Sequence, residues 1–139
     1  MKRLLALLFA IVIALSSCSG EVPGEAKSLT ENLLSLLSED DFEGASALLD
    51  SESGLGENNI RSYIYALEAE TDCDFSNGAR IVEYGSYSEY TDDSSADEER
   101  ELHKLKADIK VGTIPFLLTL IVVDADDGPA VYDVTFEMK

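Results

Sequence analysis

The chain has 139 residues, with 28 acidic against 10 basic side chains and a formal charge of −18. Such an excess of carboxylates excludes nucleic acid as a partner and opposes electrostatic adhesion to anionic lipid. The length predicts one domain, large enough to bury about two thirds of its unfolded surface.

A basic head, Met1-Lys2-Arg3, precedes the run Leu4 to Leu15, which has no polar side chain. The small residues Ser16, Ser17, Cys18, Ser19 and Gly20 follow. Basic head, apolar core and small-residue end are the three parts of a secretory signal peptide. The apolar core is shorter than the roughly 20 residues that a membrane-spanning helix needs. Leu15-Ser16-Ser17-Cys18 resembles the lipobox of bacterial lipoproteins. The resemblance implies that residues 1–17 are a removable leader and that the Cys18 thiol carries diacylglycerol. Cys18 would then be the mature N-terminus, anchoring the protein on the outer side of a bacterial membrane. Two or more acyl chains give a stable anchor where one does not. Loss of Lys2 and Arg3 with the leader takes the charge from −18 to −20. The other cysteine, Cys73, is then without a disulfide partner. Asp72 and Asp74 flank it and disfavour a thiolate, so it reads as a structural thiol rather than a nucleophile.

Residues 18–27 form the lipidated cysteine and a tether, since "SGEVPGEAK" is rich in glycine and proline. The domain is expected over residues 28–139. Ser28 with Glu31 makes a capping box, and Leu29, Leu33, Leu36 and Leu37 form one stripe of a helix over 29–38. Asp40 or Asp41 caps a second, short helix that runs to about Leu49. After a loop with Gly54 and Gly56, the apolar spacing of Ile60, Tyr63, Ile64 and Leu67 predicts a third helix over 58–70. Asn77-Gly78 marks a turn.

Beyond Gly78 the period becomes two. Val82 and Tyr84 alternate, then Tyr87 and Tyr90 take the other parity, which places a bulge at Gly85. Residues 91–99 are an acidic loop. Leu105, Ala107, Ile109 and Val111 share one face of the next strand, and Lys104, Lys106, Asp108 and Lys110 share the other. Ile114 to Val123 is apolar on both parities and predicts a strand covered on both faces. In the last strand Ala130, Tyr132, Val134, Phe136 and Met138 alternate with polar residues and Val131.

Helices first and a four-stranded antiparallel meander after them specify an α+β fold, with two or three N-terminal helices packed on a curved sheet. The pattern over residues 28–139 resembles the cystatin-like and nuclear-transport-factor-2-like cone folds. It also resembles small bacterial lipoproteins of unknown function that carry a leader, a lipobox, a "DDFEGASALL"-like helix and a meander. A fold of this kind hosts enzymes, binding modules and inert partners alike.

Candidate chemistry is sparse. His103 is the only histidine, and with one free cysteine it cannot complete a zinc site. Asp124, Asp126 and Asp127 fail the calcium-loop spacing, which would need a glycine where Pro129 stands and a glutamate where Thr135 stands. They read as a hairpin turn with Gly128 at positive φ. Asp92, Asp93, Asp97, Glu98, Glu99 and Glu101 read as a solvated acidic loop. An isomerase-like pocket would need a carboxylate base and hydroxyl donors that converge, and Tyr84, Tyr132 and Asp108 are the available types. Asp108, however, lies on the charged parity. No catalytic residue, metal site or cofactor is therefore assigned.

Two functions compete. The first is a non-catalytic, lipid-anchored binding or protein-interaction module of a bacterial envelope. The second is a small-molecule-binding or isomerase-like enzyme with its site inside the cone. An apolar second face on the strand 114–123 favours the first, because monomers rarely leave such a face open. Leu117, Ile121 and Val123 are the candidate partner surface, for a second copy of the chain or for another envelope protein.

Overall fold

The protein is described by a computed structural model covering residues 21–90, 101–125 and 128–139. The leader, Cys18 and the acidic residues 92–99 lie outside the described residues, as do Asp126 and Asp127. Among the described residues three helices come first: α1 (Gly24–Ser38), α2 (Phe42–Ala47) and α3 (Glu57–Thr71). A short 3-10 turn (Phe75–Asn77) joins them to four strands, β1 (Ala79–Tyr90), β2 (Leu102–Val111), β3 (Ile114–Ala125) and β4 (Gly128–Met138). The strands pair antiparallel in the order β1-β2-β3-β4, as a curved sheet that does not close. With the helices packed against the sheet, the fold is α+β.

α1 begins at Gly24, ahead of the Ser28 start that the capping box predicts. Pro23 occupies the N-cap with extended backbone and Glu25 lies in the first turn, so Ser28 falls within the helix and caps nothing. Burial decides the boundary: Val22 and Ala26 join Leu29, Leu33, Leu34 and Leu37 in the core. α2 has the predicted cap, since Asp41 Oδ1 accepts from the Gly44 N–H at 2.8 Å. At the start of α3, Asn59 Oδ1 accepts from the Gly56 N–H at 2.9 Å.

Among the described residues, apolar side chains fill the space between helices and sheet. Phe75, Phe116, Leu33, Leu37, Ile64, Leu105, Leu118 and Leu120 are fully buried. Phe136 stands edge-on to both Phe75 and Phe116, with centroids 5.5 and 6.4 Å away. From β3, Phe116, Leu118, Leu120 and Val122 reach this core, and Ile114 of the same parity packs partly buried against it.

Two strands differ from the alternation expected of them. β1 carries register shifts at Val82 as well as at Gly85. Ile81, Tyr84 and Tyr87 therefore pack inward, and Val82 is 52% exposed instead of sharing the face of Tyr84. At Gly85 the chain passes so close to β2 that a Cβ would lie 3.2 Å from the Lys106 carbonyl oxygen. β4 slips between the partners of Ile121 and Val122. Val131 accordingly faces the core with Val134 and Phe136, while Ala130 and Tyr132 face the opposite side.

Candidate functional site

The sheet face turned away from the helices is the most distinctive surface. Register places Lys104, Lys106, Asp108 and Lys110 of β2 in a row, facing Ile121, Thr119, Leu117 and Pro115 of β3. On the other side the row meets Ser88, Ser86, Glu83 and Arg80 of β1. Arg80 and Lys110 are direct cross-strand partners of like charge, an arrangement that disfavours pairing. Asp108 is held on this face by the Lys139 ammonium.

At one end of this face the polar pattern gives way. Leu102, Ile121 and Val123 form a second apolar cluster, separate from the main core, with Ala130 and Tyr132 packed against it. Val123 is 0% and Ile121 5% exposed. Leu117 is only half-buried and stands further along β3, between Asp108 and Glu137. Of the three candidate surface residues, the structure thus unites Ile121 and Val123 and separates Leu117 from them. Leu102, Ala130 and Tyr132 complete the cluster. The β4 slip that turns Ala130 and Tyr132 to this side leaves no mark in a parity count, and so sequence reasoning missed them.

The remaining candidates do not converge. Tyr84 points inward, where its hydroxyl lies 3.4 Å from the Lys27 carbonyl and the Lys27 ammonium lies 5.2 Å from its ring centroid. Tyr132 and Asp108 lie on the opposite face of the sheet. The three groups that an isomerase-like pocket would draw together are thus on two sides of one sheet. His103 is half-buried and stacks flat on Tyr87, with centroids 4.8 Å apart and rings inclined by 7°. Its Nδ1 is buried and finds no hydrogen-bond partner among the described residues. Cys73 is 4% exposed; burial, above all, raises its pKa, and the carboxylates of Glu68 and Asp74 add to the effect. That is the environment of an inert thiol. Among the described residues no group of three or more potential metal ligands occurs. No described helix is long and apolar enough to cross a membrane.

Among the described residues, open grooves flank this interior. One, of about 270 Å³, runs between α3 and β4 and is lined by Leu55, Asn59, Ile60, Tyr63, Asp133 and Thr135. Its polar groups have structural duties. The Tyr63 hydroxyl accepts from the Phe136 N–H at 2.8 Å, and Asp133 Oδ1 accepts from the Val134 N–H at 2.9 Å. The second, of about 460 Å³, lies between the C-terminal half of α1 and the start of β1, bounded by Glu31, Ser38, Glu39, Ala79 and Arg80. Here the Ser38 hydroxyl accepts from the Ala79 N–H at 3.0 Å. Searched against known proteins, the chain matches no family model and no curated protein.

Proposed function

We propose that the protein is a lipid-anchored, extracytoplasmic binding or protein-interaction module of a bacterial envelope and that it is not a catalyst. The observation that carries this reading is the filled interior. An enzyme of the competing kind needs an enclosed cavity with converging polar groups, of about 300 Å³ or more. Among the described residues Phe75, Phe116 and Phe136 occupy that space, and Tyr84, Tyr132 and Asp108 do not meet. Binding is left to surfaces. Ile121 and Val123 are covered within the domain, so what the second cluster offers a protein partner is its half-buried rim, Ala130 and Tyr132, beside the lysine row.

The anchor rests on the leader and on the lipobox-like Leu15-Ser16-Ser17-Cys18. Cys18→Ser tests it. The variant should leave the membrane fraction for the medium or keep its leader, and diacylglycerol should be found on the N-terminal peptide of the parent protein alone. A variant that fractionates like the parent, with no lipid mass in either, would show the reading to be wrong.

A further inference from the structure

The structure gives a direction to the anchored domain. α1 is antiparallel to β1, because Ser38 bonds the Ala79 N–H at one end and Tyr84 meets Lys27 toward the other. Between these contacts α1 advances eleven residues at 1.5 Å each, and β1 five at about 3.3 Å, close to 17 Å in both cases. Beyond Lys27 the chain continues away from Ser38 to Val22, which is already packed in the core. Register puts Ala79, Val111 and Ile114 at the Ser38 end of the sheet, and Leu102, Val123 and Pro129 at the other. The molecule therefore has two poles about 36 Å apart, one marked by Thr113, just before β3, and one by Asp124 near its end. The N-terminal segment leaves from the Asp124 side.

From this we infer that the Asp124 pole, toward which the start of α1 and Val22 lie, faces the lipid surface, and that the Thr113 pole points away from it. The inference rests on the proposed acylation of Cys18. Only four residue steps separate Cys18 from Val22, and four steps of extended chain span at most about 14 Å. That is less than half the distance between the poles, so the Asp124 pole is held near the headgroups. Charge keeps the domain from lying on its helices. Residues 21–77 carry fourteen carboxylates against two basic side chains, Lys27 and Arg61, and an anionic bilayer repels that layer. The outward pole carries Arg80, Lys110 and Lys139, together with the groove between α1 and β1. A partner arriving from the envelope space meets those groups first.

The test uses the full chain, processed and acylated in cells, with Cys73→Ala so that a single new thiol carries the dye. Asp124 and Thr113 are both exposed, and Asp124→Cys and Thr113→Cys report on the two poles. The labelled proteins are reconstituted into phosphatidylcholine–phosphatidylglycerol vesicles that contain a nitroxide headgroup lipid. Quenching should be several-fold stronger at position 124 than at 113, and a long Gly/Ser insert after Ser19 should abolish the difference. Equal quenching at both positions, in protein whose N-terminal peptide carries the lipid mass, would overturn the orientation and leave the anchor standing. Protein that neither floats with vesicles nor carries lipid would remove the anchor, and the orientation with it.

Discussion

Single side chains set how the domain responds to alkali. Burial raises the pKa of Tyr84 from 10.0 to about 12, and Glu31 adds to the shift. Burial likewise raises Tyr63 and Tyr87, with smaller contributions from nearby carboxylates led by Asp133 and by Asp124 respectively. A folded-state pKa above the unfolded value means that the native state keeps a proton which the unfolded chain gives up. The stability this provides is fully present below pH 10 and is lost as pH rises from 10 through about 12. Urea midpoints measured across that window should fall. Tyr84→Phe should flatten the fall, because phenylalanine has no proton to hold. An unchanged slope would show that Tyr84 is not buried as described. Cys73 was legible at this scale as a partly buried structural thiol, but the completeness of its burial was not, since that depends on the packing of the turn after α3. His103 shares the parity of Leu105, Ala107 and Ile109 in the sequence and lies on their face of the sheet. Its flat contact with Tyr87 was not foreseeable, because the bulge at Gly85 sets which β1 residue lies beside it.

At the scale of the element, the outer edge of β4 shows how a sheet is prevented from growing. Bare edge strands invite pairing with other chains. Here the Val131 N–H donates to the Leu48 carbonyl, and its own carbonyl accepts from the Asp50 N–H, both at 2.8 Å. The Val134 N–H is taken by Asp133 and the Phe136 N–H by Tyr63. Loop, side chain and helix thus each occupy part of the edge. Tyr63→Phe should cost about 1 kcal/mol, the usual net loss when one hydrogen bond leaves a half-buried donor unmet. It should also increase thioflavin-positive aggregation on prolonged incubation. A variant as stable and as resistant as the parent would mean that water serves the Phe136 N–H equally well. The elements themselves were legible because the change from a helical to a two-residue period at Gly78 is abrupt. Their edges were less so. The serine that suggested a start for α1 was outweighed by the burial of Val22 and Ala26, a tertiary effect with no local signature. Both strand slips, at Val82 and in β4, break alternation without a glycine to mark the place.

The whole molecule has a polar asymmetry and one unexplained apolar cluster. Ile121 is the residue through which the cluster is best tested. Ile121→Glu would put a charge beside Leu102 and Val123. If the cluster belongs to a partner surface, the variant should stay folded by near-ultraviolet dichroism and show a lower mass in light scattering or a lost partner. Unfolding would assign Ile121 to the domain's own core and end the interface reading. The sequence made this strand conspicuous through its double apolar parity. It could not show that Leu117 stands apart from Ile121 and Val123, because that depends on which residues of β2 and β4 lie opposite.

The ladder that joins residues 48–50 to Val131 also has a consequence in time. It links parts of the chain that are more than eighty residues apart, and Phe136, which completes the aromatic core, lies close to the C-terminus. A chain emerging N-terminus first makes its helices long before the strand that secures them exists. Contacts of such long separation form late and slowly. Chains halted at Ala125 should therefore remain as protease-sensitive as unfolded polypeptide, and resistance should appear in one step once β4 has emerged. Gradual resistance, acquired strand by strand, would show that the helices and first three strands make a stable unit of their own. Late completion leaves the polypeptide threadable until β4 has emerged.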